Sequence, residues 1–217
     1  MNMKFVKRML AATLAATLMV APALTVGATT NSSSSSNEES SNSDSNSGST
    51  EAAVVTEALP SSTVSVGGTV IKSQVNGAYA VKTLAGVAVR QGNDAIKAAA
   101  GLGKSETPFA RVYDITAKKS PRVFDSFNGA AAAAGGVVLG AVNFDLGKMA
   151  GGKFADLPAD VSVPVTFGVK NANGRTLSVI KVVPGGATTI LTDTDENPNT
   201  VTVPVTGGLA AYAIMAN

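Results

Sequence analysis

The sequence predicts an α+β fold, mainly an antiparallel β-sandwich with two short helices. Three observations carry this. Runs rich in Val and Thr alternate apolar and polar residues, notably Val161 to Lys170 and Thr200 to Thr206, which is the period of a strand with one buried face. Gly, Pro and Asn punctuate those runs at short intervals, the spacing of strands joined by turns. Only two stretches, Asn93 to Ala100 and Ser120 to Ala134, read as helices between start and stop signals.

In chain order, the first element is not part of the fold. Lys4, Lys7 and Arg8 precede an uncharged apolar run from Met9 to Val26, and small residues follow at Ala21-Pro22-Ala23 and Val26-Gly27-Ala28. A basic start, an apolar centre and an A-x-A-like exit describe a secretory signal peptide over residues 1–28. Cleavage is expected after Ala28, with Ala23 as the second choice; a retained anchor is the alternative. Residues 29–62 read as a Ser-rich spacer. Asn31 to Thr50 has no apolar residue, so it has nothing to bury against its own ordering entropy. It serves either as a tether or as a solubilising tail. The β-rich globular domain is expected over residues 63–217.

Within that domain, Val64–Val75 and Ala78–Arg90 read as two strands joined at Asn76-Gly77, the strongest short hairpin signal. Asn93 or Asp94 suits the cap of a helix that stops at Gly101 and Gly103. Phe109 to Ala117 returns to strand, with Phe109, Tyr113, Ile115 and Ala117 on one face. Ser120-Pro121 then opens the second helix, Ser as cap and Pro in the first turn. Its apolar stripe is Val123, Phe124, Phe127, Ala131 and Ala134, and Gly135-Gly136 ends it. Gly129 inside it weakens it by about 1 kcal/mol relative to Ala and marks a place for a break.

The remainder reads as β. Val137–Leu146 sets Val138, Val142, Phe144 and Leu146 on one face. Met149–Pro158 is Gly-rich and is expected to be a loop. Val161–Lys170, Leu177–Val183, Ala187–Thr192, Thr200–Thr206 and Leu209–Met215 complete the set, with turns at Asn171–Gly174 and Pro184–Gly186. The run from Val161 is echoed forty positions later from Val201, with Pro164 matching Pro204. The echo is read as two equivalent strands of a sandwich, chance in Val/Thr-rich sequence being the alternative. Proline lacks a ladder donor, so both strands are expected at edges or bulges.

The segments Val182-Val183-Pro184-Gly185-Gly186, Ile190-Leu191-Thr192-Asp193, Val201-Thr202-Val203 and Ala211-Tyr212-Ala213-Ile214 resemble, over residues 177–215, a C-terminal β-module of secreted bacterial surface proteins. The resemblance departs at Gly207-Gly208-Leu209, where that module leads into its last strand with an aromatic. It implies extracellular display and no catalytic residues.

Composition narrows the chemistry. The chain has no His, Cys or Trp, which removes Ser-His-Asp and thiol mechanisms, the commonest zinc ligands and any disulfide. The formal charge of +2 turns slightly negative once the leader's three cations are cleaved, so nucleic acid is not an expected partner. A membrane is expected to matter only through an uncleaved leader. Asp193-Thr-Asp195-Glu-Asn197-Pro-Asn199 is the one chemically pointed segment. Asp193, Asp195, Asn197 and Asn199 put oxygens at every second position, as a Ca²⁺-wrapping loop does. Pro198 and Pro204 stand where an EF-hand needs Gly and Glu. The same residues also suit a polar turn whose side chains fold back on the backbone. Ser178-Val-Ile-Lys181 spells S-x-x-K, but a strand sends Ser178 and Lys181 to opposite faces, so the match is read as chance. Asp114, Asp125, Asp145, Asp156 and Asp160 are the carboxylates open to glycosidase chemistry, and no spacing selects a pair.

Three functions follow as expectations. The first is a non-enzymatic extracellular surface, adhesion or structural module of a bacterium, its partner a cell-surface glycan or protein. The second is a carbohydrate- or peptide-binding module, with calcium as its candidate cofactor, needing an exposed aromatic pair. The third is a hydrolase using two carboxylates about 5–10 Å apart.

Overall fold

Residues 60–217 are described by a computed structural model; the expected leader and the Asn31–Thr50 run lie outside the described residues. The described chain is α+β, built largely of antiparallel strands with two short helices. In chain order the strands are β1 (Thr63–Val66), β2 (Thr69–Lys72), β3 (Gly77–Ala80), β4 (Val87–Val89), β5 (Thr107–Asp114), β6 (Val137–Ala150), β7 (Lys153–Asp156), β8 (Ser162–Gly168), β9 (Leu177–Val182), β10 (Thr188–Thr192), β11 (Thr200–Thr206) and β12 (Gly208–Ala216). Helix α1 (Asn93–Ala100) lies between β4 and β5, and α2 (Pro121–Ala133) between β5 and β6.

A large sheet runs β10-β9-β12-β6-β5-β3, with β7 also on β6, and a small sheet runs β11-β8-β4. The main core lies between them. Val142, Phe144 and Leu146 of β6 and Tyr212 and Ile214 of β12 meet Val163, Val165 and Phe167 of β8 and Val201, Val203 and Val205 of β11. Strand periodicity delivers these side chains to one side. Tyr212 joins the layers: its ring stacks on Phe167 at 6.1 Å and meets Phe144 edge-on at 6.3 Å. On the other side of the large sheet, Phe127 and Ala131 of α2 pack against Ala141, Ile180, Val182, Ala211, Ala213 and Met215. The alanines leave room for the helix to approach the sheet closely.

The N-terminal strands differ from the expected pair. The hairpin turn is Gly67-Gly68, both at positive φ (57° and 78°), as a two-residue primed turn requires. Asn76 and Gly77 do not adopt that conformation. Gly77 instead begins β3, which runs parallel to β5, and a Cβ there would lie 2.2 Å from the Ala110 carbonyl oxygen. The glycine marks a close approach of two strands. The expected strand Ala78–Arg90 is two short pieces in different sheets, β3 and β4.

Other departures are local. Gly92, not Asn93 or Asp94, caps α1, while Gly101 closes it in the left-handed conformation as expected. Helix α2 continues through Gly129 without a break, because sheet packing on either side holds it. Phe109 and Tyr113 do share a side of β5, but the strand ends at Asp114: Ile115, just past it, is buried under α2, Ala117 lies exposed in a turn, and the main core takes Ala110 and Val112. Val138 leaves the face of Val142 because a bulge between Ile214 and Met215 makes Leu139 the extra residue of β6. Leu139 then packs on the main core and Val138 under α2. Met149–Pro158 is not a loop: β6 continues to Ala150, turns at Gly151-Gly152, and returns as β7.

The echoed strands pair with each other, antiparallel, with Pro164 opposite Pro204 and Val165 opposite Val203. β11 is an edge strand. β8 is not, since β4 lies on its other side, but β4 ends at Val89, one residue short of Pro164.

Candidate functional site

The segment from Asp193 to Asn199 carries the chain from β10 of the large sheet to β11 of the small one. Its alternate oxygens turn back on the chain. Asp193 Oδ1 accepts the Asp195 N–H (3.0 Å), Asp195 Oδ1 accepts the Asn197 N–H (2.9 Å), and Asn197 Oδ1 accepts the Asn199 N–H (2.9 Å). These are three consecutive Asx turns, each spanning two residues. Asp193 Oδ1 also accepts the Thr202 N–H at 2.8 Å, and the Thr202 carbonyl accepts the Thr194 N–H at 3.0 Å. The loop therefore covers β11's outer edge.

Asp195 is the centre of this arrangement. The Thr200 hydroxyl reaches both its oxygens at 3.0 Å, and the Thr202 hydroxyl donates to Oδ2 at 2.6 Å. Thr202 Oγ1 lies 2.7 Å from Thr166 Oγ1 on β8. Asn197 Nδ2 donates to Thr69 Oγ1 at 2.8 Å, tying the loop to the β1–β2 hairpin. Asn199 packs its amide on the Gly67 turn and accepts the Val169 N–H on its carbonyl. Burial holds the Asp193 carboxyl above its ordinary range despite its N–H donors, and neighbouring Asp195 adds to the shift. No group of three or more Asp, Glu, His or Cys residues converges as a metal site among the described residues.

Beside the loop lies a cleft of about 380 Å³, lined by Ile71, Arg90, Pro164, Asp195, Glu196, Asn197, Thr200 and Thr202. Ile71 and Pro164 make it partly apolar. Arg90 and Glu196 are its exposed charges; the Asp195 carboxylate already has its donors.

The other sequence candidates are scattered. Ser178 and Lys181 lie on β9, on opposite faces, and Lys181 Nζ donates to Thr206 Oγ1 at 2.7 Å. Partial burial lowers the Lys181 ammonium from its ordinary range. Asp114 accepts the Lys82 and Thr83 N–H groups at 2.6 and 3.1 Å, which fixes the turn after β3. Asp125, Asp156 and Asp160 are exposed.

Asp145 is different, and its setting was not legible as a cluster. It is 3% exposed on the outer side of β6. Arg111, opposite it on β5, donates from Nε and Nη2 to Oδ2, while Oδ1 is buried without a partner. The guanidinium also lies 3.7 Å over the Phe154 ring, which meets Phe109 edge-on at 6.3 Å. Gly147 admits that ring: a Cβ there would sit 2.2 Å from Phe154 Cζ. Tyr113 and Leu209, 43% and 42% exposed, complete the half of this face that α2 leaves open. The alternation Phe109-x-Arg111-x-Tyr113 was the available signal; its partners come from β6, β7 and β12, far along the chain.

No family model matches the chain, and no curated protein or solved structure matches it.

Proposed function

We propose that the chain is a non-enzymatic extracellular module of a bacterium, displayed on its Ser-rich spacer and acting through its surface in adhesion or wall architecture. The observation that carries this reading is the use made of four carboxylates, Asp114, Asp145, Asp193 and Asp195. Asp114 fixes a turn, Asp145 is clamped by Arg111, and Asp193 and Asp195 tie the inter-sheet loop. A general base needs a lone pair within reach of substrate, and these carboxylates hold the fold instead. The basic start, apolar run and small-residue exit of residues 1–28 support export. The test is to express the chain with its own leader in a bacterial host and compare cell fractions. A new N-terminus at Thr29 or Leu24, with binding of the secreted chain to intact cells or purified wall, is the expected result. Intact Met1 in the membrane fraction would overturn the export reading, and turnover of a polysaccharide substrate would overturn the non-enzymatic one.

A second reading has one observation in its favour. The open half of the large sheet presents Tyr113, Arg111 and Phe154 beside each other, an apolar surface next to hydrogen-bonding groups, which suits a sugar ring or an extended peptide. Under this reading, Tyr113→Ala lowers affinity for wall glycan at least tenfold in titration calorimetry. Unchanged affinity removes this face from the binding surface.

A further inference from the structure

We propose that two copies of this chain join as a two-fold dimer by pairing β10 with β10 of the second copy. The inference begins with where the backbone groups of β10 point. The hairpin to β9 closes through the Val183 N–H on the Ala187 carbonyl and the Gly186 N–H on the Val183 carbonyl. That places the ladder bonds at Thr189, opposite Lys181, and Leu191, opposite Val179. The N–H and C=O groups of Thr188, Ile190 and Thr192 therefore point away from β9. No further strand lies there, since β10 is the last strand of the large sheet.

An edge of this kind is a template for another strand, and the other edges among the described strands are guarded. β11 has Pro204 and is covered at Thr202 by Asp193 and Thr194. β1, β2, β3 and β7 are four residues each, and β4 is three residues, all buried; β2 and β7 carry Lys72, Lys153 and Asp156. β10, by contrast, reads Thr-Thr-Ile-Leu-Thr, with no charge, proline or glycine, and all but Leu191 are exposed. Ile190 is 45% exposed.

A second copy is the occupant that fits best because the strand matches itself. An antiparallel register centred on Ile190 sets Ile190 opposite Ile190, Thr188 opposite Thr192, and Thr189 opposite Leu191. Every outward group then finds a partner, giving about six new backbone bonds, two at each hydrogen-bonded pair. The facing side chains are β-branched or apolar, which favours cross-strand packing, and no like charges meet across the axis. The contact is isologous and closes at two copies.

The chain contains no Cys, so a single introduced thiol is a clean reporter. Sedimentation of the mature chain over a range of concentrations should show a monomer–dimer equilibrium. Ile190→Pro removes an outward donor while leaving the bonds at Thr189 and Leu191 intact, and should shift the protein to monomer with unchanged circular dichroism. Ile190→Cys should cross-link through a short bismaleimide, and Val70→Cys, at another exposed site, should not. A parent chain that stays monomeric to about 1 mM overturns the proposal. So does an Ile190→Pro variant that dimerises as before, or a β10 edge that accepts an added extended peptide without self-pairing.

Discussion

Pro164 and Pro204 stand directly opposite each other in the β8–β11 pair. The Pro164 carbonyl accepts the Arg90 N–H at 2.9 Å, so Pro164 turns its backbone groups away from β11. The two prolines therefore form a non-hydrogen-bonded pair, and neither removes a bond from the ladder they share. Pro164 places its missing donor just past the end of β4, and Pro204 places its own on the outer edge of β11. Pro204→Val should leave folded stability within about 1 kcal/mol. It should also restore a donor to that edge and produce species larger than any the parent forms, measured by light scattering.

Asp195 holds the inter-sheet loop through Asn197, Thr200 and Thr202. Asp195→Ala removes all of these bonds and should cost about 1–3 kcal/mol in urea unfolding. Because the alternate oxygens are already engaged by backbone and hydroxyl donors, excess calcium and chelator should give the same thermal midpoint. A midpoint that rises with calcium, and no longer does so in Asp193→Ala, would establish the loop as a metal site.

Two glycines should respond oppositely to alanine. A Cβ at Gly129 meets nothing within 4 Å, so Gly129→Ala should gain about 0.5–1 kcal/mol of helix propensity and raise the midpoint by about 1–4 °C. Gly86 has φ +104°, and a Cβ there would lie 2.0 Å from the Thr63 carbonyl oxygen. Gly86→Ala should therefore cost several kcal/mol, about 2–4, and separate the β1–β2 hairpin from β4. Differential scanning calorimetry of both variants is the check.

Burial, opposed by the neighbouring Thr206 hydroxyl and backbone, pushes the Tyr212 phenol up to about 12, against about 10 in an unfolded chain. The folded state thus keeps a proton that the unfolded state releases. Stability is intact below pH 10 and falls as pH rises from 10 to 12, by up to about 2–3 kcal/mol from this residue. Tyr79, also pushed up to about 12 by burial with Ser73 opposing, adds in the same direction. Tyr212→Phe should flatten that decline in urea titrations at successive pH values. Its buried hydroxyl lies near Thr206 but outside hydrogen-bond geometry, so the variant should stay within about 1 kcal/mol of the parent at pH 7.

The amino-acid sequence by itself determined the α+β class, both helices, the alternation of β8, β11 and β12, and the turn at Pro184–Gly186. Each of these rests on local physics: side-chain period, proline in the first helical turn, glycine at a left-handed cap. It also displayed the alternate oxygens of Asp193, Asp195 and Asn197. Only the tertiary structure shows which donors those oxygens accept, because an Asx turn and a metal loop require the same residues at the same spacing. Among those donors are Thr200 and Thr202, brought in from β11. The same holds for Asn76-Gly77, whose glycine answers to the Ala110 carbonyl on β5 instead of to a turn. Arg111 and Asp145 are likewise 34 positions apart and meet only through the β5–β6 register. Local conformational preference is written in neighbouring residues; which distant strand supplies a donor, a carbonyl or a ring is set by how the sheets stack.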